Sequence, residues 1–431
     1  MPVIIKDPIW GFYEIEDWAL PIIDHPAFQR LRRIRQLAGA EVVYPAANHT
    51  RFEHSLGVAH LALKISNVVD KRLRERGEDG LTEEDKRTVY LAGLLHDVGH
   101  FAFSHAAEGL LDLYGKNHED FTRRIILELL SSEIEKAGCD PEIVAECAAG
   151  KEIRKVRDRP FLKEIVGSAI DADKLDWLPR DSYHTGVPYG LIDSERIILF
   201  MNVENNHIVI HEKAKQALEM MLLGRALCFQ AIYFHKTSRA AQILIDQALK
   251  AANDELNLGQ AIDDLNEYVK YDDYVMWTKL LHANKSREYI ERLANRRLYK
   301  VAYEFSALVK VGLPAADLLG IMKSRKTRET LRQMIAEEAN VDSRFVIIDA
   351  PTLPTIPYSF LSEDPMRISI LMKNGEIKSL TEISDIAETL RAFLYIIRIY
   401  TLEEYRERVR KAALDVLSGG VSKAEATEQH V

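Results

Sequence analysis

The sequence predicts a mostly α-helical protein: a helical core with short β elements, followed by a smaller α+β C-terminal region. Three observations predict it. Apolar residues recur at helical spacing through most of the first 250 positions. At 431 residues the chain is too long for one compact core. Past about residue 260 the composition changes, and Asn374-Gly375 between two apolar runs signals a β-hairpin.

Taken in order, residues 2–24 mix short apolar groups with Pro8, Gly11 and Pro21 and read as a brief strand or hairpin with turns. Residues 25–37 place Phe28, Leu31 and Ile34 on one helical stripe, with Arg30, Arg32, Arg33 and Arg35 around it, and Gly39 ends the run. A second helix is expected from about His54 into the charged stretch 71–76, before Gly77 and Gly80 break the chain. Thr82 suits the N-cap of the next helix, where Glu83, Glu84 and Asp85 favour the positive helix end. That helix carries the apolar run 89–95 and delivers His96-Asp97, with Gly99 as its stop.

Amphipathic helices are expected over 118–136, 160–178 and 212–253, and a short strand over 207–210. A second helical block covers 260–339. Then come the apolar run 345–348, a loop punctuated by Pro351, Pro354 and Pro357, the hairpin around 368–377, and a final helix over 384–417. The expected partition is a helical domain over 1–255, an α+β region over 256–418 and a disordered polar tail over 419–431.

The net charge of -9 argues against a general nucleic-acid coat protein, although an acidic chain can hold a local basic pocket. Cys139, Cys147 and Cys228 are too few for a disulfide framework, and none forms a C-x-x-C pair. No early apolar run suits a signal peptide and no segment suits a membrane span, so a cytoplasmic location without membrane partners is expected.

The segments that carry chemistry are Arg51-Phe52-Glu53-His54, His96-Asp97-Val98-Gly99-His100, Ser104-His105, Asn117-His118-Glu119 and Asp171-Ala172-Asp173-Lys174. Seven of the 14 histidines fall between His49 and His118. A divalent ion that activates water needs neutral imidazoles and carboxylates with positions left open. His54, His96, Asp97 and Asp173 supply two of each. Neighbours on a helix diverge by about 100°, so His96 and Asp97 reach one ion only if it sits over the helix end.

With these motifs in hand, the chain resembles the HD superfamily of metal-dependent phosphohydrolases. Within it, the chain is most similar to the deoxynucleoside triphosphate triphosphohydrolases, including those that join a SAM domain to an HD domain. The resemblance runs through Asp7-Pro8-Ile9-Trp10-Gly11, Phe28-Gln29-Arg30-Leu31-Arg32, Arg51-Phe52-Glu53-His54-Ser55-Leu56-Gly57, His96-Asp97 and His105. It resumes at Asp173-Lys174 and Tyr233-Phe234-His235-Lys236-Thr237, and returns around 400–411. It covers about the first 250 residues. No SAM domain is expected before the core, because residue 7 already lies within the pattern.

The resemblance implies metal ligation by His54, His96, Asp97 and Asp173, by an ion such as iron, manganese, nickel, cobalt or zinc, with magnesium able to enter with the substrate. It implies hydrolysis at the α-phosphorus to deoxynucleoside and triphosphate, with His105 and His118 as catalytic histidines and His100 near the phosphates. Glu108, one helical turn past His105, is placed to orient that ring; the family often has aspartate there. Arg51, Lys174 and Arg180 match phosphate or active-site positions, with Lys236 a weaker match. Gln36, Leu37 and Tyr233 match sugar-holding positions, and Trp177 and Asp181 complete the implied substrate set. Asp24, Gln29 and Arg32 match positions that bind a guanine-nucleotide effector between subunits, which implies a homo-oligomer, dimer or tetramer. Val3 stands where the family has a lysine that binds effector phosphate. Competing readings are an HD phosphohydrolase acting on a monophosphate, cyclic or hyperphosphorylated nucleotide, and a non-catalytic HD protein that binds nucleotide or nucleic acid.

Overall fold

A computed structural model describes residues 3–150, 155–156, 158–310, 324–354, 368–390 and 392–428. The expected N-terminal hairpin is present: β1 (Val3–Asp7) pairs antiparallel with β2 (Gly11–Ile15). The expected helix over 25–37 is not. The chain forms a helical turn, Pro26–Gln29, and a 3-10 turn, Arg30–Arg33, and then extends at Ile34. Tertiary pairing overrides the helical pattern. Arg51 N donates to Ile34 O and Gln36 N donates to His49 O, so the chain runs alongside 49–51. Arg30, read as part of a charged surround, is fully buried and donates to Val98 O and Tyr271 O.

The long helix α1 (Arg51–Glu75) starts three residues earlier than expected. Thr50 is extended and its N–H donates to the Glu53 carboxylate at 2.8 Å, so Thr50-x-x-Glu53 sets the start. Helix α2 (Glu83–Leu95) is capped by Thr82 with Asp85, as expected. The helix readings over 118–136, 160–178 and 212–253 are corrected in their continuity. Helix α3 (His118–Arg124) passes into a π segment, Ile125–Leu129. In the second, a short turn Phe161–Glu164 precedes α4 (Ala172–Thr185), because Asp171 caps a new start by accepting from Lys174 N. In the third, α5 (Lys215–Cys228) ends in a π segment, Phe229–Tyr233, and α6 (Lys236–Ala252) begins after a 59° bend. Such π segments are frequent at functional sites, and this one carries Tyr233.

The strand at 207–210 is present: β4 (His207–His211) pairs with β3 (Met201–Glu204). Helix α7 (Asp273–His282) and its neighbours to residue 294 join the same hydrophobic core as the N-terminal hairpin and the residues around α2. Two long strands contradict the sequence reading. β5 (Lys300–Lys310) lies inside the expected helical block 260–339, and β10 (Ala392–Thr401) inside the expected final helix. They pair with each other over most of their length. Short apolar runs of this kind fit either period, and pairing decides. β6 (Ile347–Asp349) and β7 (Thr352–Pro354) also pair with β10. The Asn-Gly hairpin is found as expected, with Gly375 at φ 84° between β8 (Ser369–Leu371) and β9 (Ile377–Ser379). β8 adds parallel to β4, so this hairpin completes the sheet begun at 201. The last helix, Arg406–Glu428, runs through most of the segment expected as a disordered tail; Lys423, Ala424, Glu425 and Ala426 are good helix formers. Pro357 and residues 429–431 lie outside the described residues. Among the described residues no single helix is long and apolar enough to cross a membrane; the bent pair Glu212–Tyr233 and Lys236–Ala252 reaches the length, with its apolar residues largely in the core.

Candidate metal centre and catalytic cleft

Three elements bring the predicted ligands together: α1 carries His54, the end of α2 carries His96 and Asp97, and the first turn of α4 carries Asp173. The turn after α2 is pinned by Thr122, whose Oγ1 donates to His96 O and accepts from Gly99 N. Gly99 is required there. A Cβ would lie 2.2 Å from both His118 O and Thr122 N, so no side chain fits. Gly57, one turn past His54, is required for a similar reason: a Cβ would strike Asp176 and Arg180.

One ligand atom each from His54, His96 and Asp173 lies within 4.8 Å of the others. His54 Nε2 is 3.1 Å and His96 Nε2 3.6 Å from Asp173 Oδ1. Asp97 sits beside them, with Oδ2 3.6 Å from His54 Nε2 and Oδ1 3.5 Å from His96 Nε2. The proton positions test whether a cation fits. His96 Nδ1 lies 2.8 Å from Gly93 O, and a carbonyl only accepts, so Nδ1 carries the hydrogen. Nε2 of the neutral ring is then a lone pair. It is buried without a hydrogen-bond partner and faces carboxylates. His54 Nδ1 likewise donates to Asp176 at 2.7 Å, and its Nε2 faces Asp173. Imidazole nitrogens and carboxylates converging on one point suit a divalent cation, which would take the place of the proton shared there.

Electrostatics agree. Burial alone would lower the pKa of His54, but hydrogen bonds to Asp173 and Asp176 raise it to about 10. His96 shifts upward too: burial works against it, and Asp97 and Asp173 prevail. Burial would raise Asp173, yet His54 and His96 hold it well below the usual carboxylate range. The negative field that draws protons onto these imidazoles is the field that draws a metal.

The adjoining cluster is built differently. His100 and His118 stack with centroids 4.0 Å apart, and His105 stands edge-on to both. His100, His105, Glu108 and His118 also hold ligand atoms within 4.8 Å of one another. Arg51, however, sits against this end: its Nε donates to Ser104 Oγ at 2.7 Å and its NH1 pairs with Asp97. Its NH2 is buried without a partner. Lost contact with bulk water, with the charges of Arg51 and His118, lowers His105 to about 4, although part of the residue is exposed. His100 moves the same way for burial and Arg51 first. Two imidazoles held low, His100 and His105, beside an arginine suit an anion rather than a second cation. Asp97 joins the two ends, with His100 Nε2 3.4 Å from its Oδ1.

The structure corrects two predicted roles. Glu108 holds His118 rather than His105: its Oε1 lies 2.7 Å from His118 Nδ1, while His105 lies in the 3-10 turn Ser104–Ala107 just before it. Arg180 is not placed for phosphate. It is fully buried behind the metal histidine, bonded twice to Asp176 at 2.8 Å and paired with Asp7 at 2.9 Å. Lys174 is tied to Asp171 at 2.7 Å. Among the residues matched to sugar-holding positions, Leu37 is buried, Gln36 Oε1 is buried without a partner, and Tyr233 O–H donates to Asp181, which also contacts His49 Nε2 at 2.7 Å. Trp177 meets the Tyr233 ring edge-on at 5.5 Å. Arg32 Nε donates to Gln29 at 2.8 Å and its guanidinium lies 3.5 Å over the Phe52 ring, with Asp24 near enough to act on its charge.

Sequence reasoning missed several contributors. Asp176 and Trp10 form the layer behind His54, with Trp10 Nε1 donating to Asp176. Arg225 is buried over Phe229 near the same pocket, where burial lowers its pKa to about 10. The signal for Asp176 was its position three residues past Asp173, one helical turn along α4. Arg225 offered none, since an arginine on an apolar helix reads as a surface residue.

Comparison with known proteins agrees with this geometry. Residues 51–180 match the HD domain and residues 192–429 match the HD associated region. The chain belongs to the HD-domain family of metal-dependent phosphohydrolases. It is 30% identical over 416 residues to the uncharacterized protein YwfO of Bacillus subtilis (strain 168), covering 90% of this chain and 89% of that one. It is 29% identical over 383 residues to the deoxynucleoside triphosphate triphosphohydrolase SAMHD1 homolog of Dictyostelium discoideum, covering 84% and 70%. A crystal structure of a hypothetical protein from Aquifex aeolicus superposes with TM-score 0.75 at 29% identity, covering 96% of this chain and all of that one.

Proposed function

We propose that this protein hydrolyses deoxynucleoside triphosphates to deoxynucleoside and triphosphate. One observation carries the reading: a cation-binding carboxylate–imidazole cluster abuts an arginine-backed imidazole cluster, and Asp97 contacts both. The Dictyostelium relative supports the choice of substrate. His54, His96, Asp97 and Asp173 would hold the divalent ion, which supplies Lewis-acid polarisation of a phosphoryl oxygen and acidifies water. Arg51, with its buried unpartnered NH2, takes a phosphate oxygen; Arg225 adds a second cation nearby. His105, neutral and partly exposed, accepts a proton as water attacks and passes one to the leaving 5′ oxygen. The polyphosphate charge raises its pKa on binding, which brings it towards neutrality, where such exchange is fastest. His118, held by Glu108, and His100 flank the phosphates. Gln36, Leu37 and the Tyr233–Asp181 pair take the sugar, where an apolar surface at C2′ disfavours a ribose hydroxyl.

Asp24, Gln29 and Arg32 form the effector site of this reading. The carboxylate accepts two hydrogens from a guanine edge, and Arg32 neutralises phosphate. An effector that bridges subunits stabilises the active oligomer. Val3 removes one cation from that site, so effector phosphate binds more weakly than where lysine stands. The test is chromatographic identification of products from all four deoxynucleoside triphosphates, with and without guanosine triphosphate. Deoxynucleoside and intact triphosphate support the reading; monophosphate or phosphate products, or binding without turnover, overturn it.

A further inference from the structure

Two consecutive residues before His105 adopt left-handed backbone without being glycine: Phe103 at φ 65° and Ser104 at φ 52°. Such residues cost energy and persist only where surrounding contacts hold them. The contact that holds this pair comes from far along the chain. Phe103 N–H donates to Asp273 Oδ1 at 2.7 Å. The other oxygen of the same carboxylate, Oδ2, accepts from Arg35 N–H at 3.0 Å. Ser104 Oγ donates to Arg35 O at 2.6 Å and accepts from Arg51 Nε at 2.7 Å. One buried carboxylate therefore joins the strand that presents Gln36 and Leu37, the turn that presents His105 and the hydroxyl that aims Arg51.

We propose that Asp273 is a positioning residue for catalysis: its carboxylate fixes the backbone at Arg35 and Phe103, which aims Arg51 and His105 into the cleft, and its protonation loosens that hold. The inference rests on the phosphohydrolase reading of the cleft. The chemistry is direct. An ionised carboxylate accepts on both oxygens. A protonated one carries a hydrogen on one oxygen, so one buried N–H faces a donor and loses its partner. The charged groups around it are few. Arg35 lies on one side, and Asp272, itself paired with Arg33, on the other. Burial, reinforced by Asp272 and opposed by the two backbone donors and Arg35, raises its pKa to about 6. The clamp is then closed above about pH 6 and opens as pH falls through it.

Asp273→Asn tests this, because an amide has one accepting oxygen and one donating nitrogen and so mimics the protonated acid at every pH. The variant removes a buried charge as it loses one acceptor, and it is expected to melt within a few degrees of wild type. In hydrogen–deuterium exchange at pH 7.5, peptides covering 33–37 and 100–107 should exchange roughly tenfold faster in the variant. At pH 5 the two proteins should exchange alike. Turnover of the variant with metal and deoxynucleotide should be roughly 10–100-fold below wild type at pH 7.5, the scale of a small misplacement, with metal content unchanged. It should also lack the acid limb near pH 6 that wild type shows. Unchanged exchange in those peptides at pH 7.5 overturns the clamp, whether or not the protein hydrolyses nucleotides. Faster exchange with wild-type turnover and an intact acid limb overturns its catalytic role. Wild type without turnover on any nucleotide overturns the functional reading instead, and exchange alone then decides the clamp.

Discussion

At the metal end of the cleft, burial is outweighed by hydrogen bonds that His54 donates to Asp173 and Asp176, and His54 rises to about 10. At the other end, the same kind of side chain meets Arg51 instead, and burial with that positive charge takes His105 down to about 4. Imidazoles separated by one carboxylate, Asp97, thus lie on opposite sides of neutrality. The difference teaches how one cleft keeps two functions apart. Carboxylates draw positive charge to one set of histidines, where a cation would displace the proton into solvent. Burial and the arginine keep His100 and His105 neutral, an environment that suits an anion.

The largest effect should come from breaking the metal end alone. Asp173→Ala removes a carboxylate common to both histidine contacts. It should lower metal affinity by more than the roughly 10–100-fold that loss of an outer-shell partner costs, and hydrolysis should disappear with the metal. Elemental analysis beside turnover checks this; full occupancy in the variant would reassign the site. Breaking the other end gives a smaller loss of a different kind. His105→Ala should keep its metal and slow turnover by about 10²–10⁴-fold. Unchanged turnover would reduce His105 to packing.

The contrast sharpens with pH. With His54 raised to about 10, binding a cation displaces a proton throughout the neutral range. Metal affinity should therefore rise with pH, by roughly tenfold per unit between pH 6 and 9, and fall as protons compete at lower pH. Isothermal titration in buffers of different ionisation heat measures both the slope and the released proton. A flat affinity would mean that no proton leaves His54 and would contradict its raised pKa. His105, lowered to about 4, contributes no titration of the free protein in that window. The smallest effect concerns the sugar. Leu37→Ala should narrow the preference for deoxyribo- over ribonucleotides by about 10-fold, the scale of a pocket methylene or two. An unchanged ratio of kcat/KM values would make Leu37 core packing.

The contrast between the two ends also separates what the sequence reveals from what it hides. His54, His96, Asp97 and Asp173 were legible through the resemblance to the HD superfamily, on top of the concentration of histidines between His49 and His118; the structure brings His54, His96 and Asp173 within 4.8 Å of one another. The helical class and the Asn-Gly hairpin were legible from period and turn chemistry. The layer behind the metal was not. Trp10 and Asp176 lie 166 positions apart, and only the fold brings them within a hydrogen bond. Arg180 illustrates the same limit: a matching position says nothing of direction, and the structure spends its charge on Asp176 and Asp7. Glu108 was one turn from His105 along the chain, but its carboxylate pairs with His118. The strands Lys300–Lys310 and Ala392–Thr401 read as helix because their partners are remote, and each supplies the pairing that makes the other a strand.

In the proposed reaction the two ends act together on one phosphorus, next to the sugar. Hydrolysis of each deoxynucleoside triphosphate in ¹⁸O-labelled water, followed by mass spectrometry of the products, tests it most directly. Cleavage between the α-phosphorus and the 5′ oxygen should place the label in triphosphate and leave the deoxynucleoside unlabelled, in wild type but not in Asp173→Ala. Label in monophosphate, pyrophosphate or inorganic phosphate, or label in the deoxynucleoside, would contradict it.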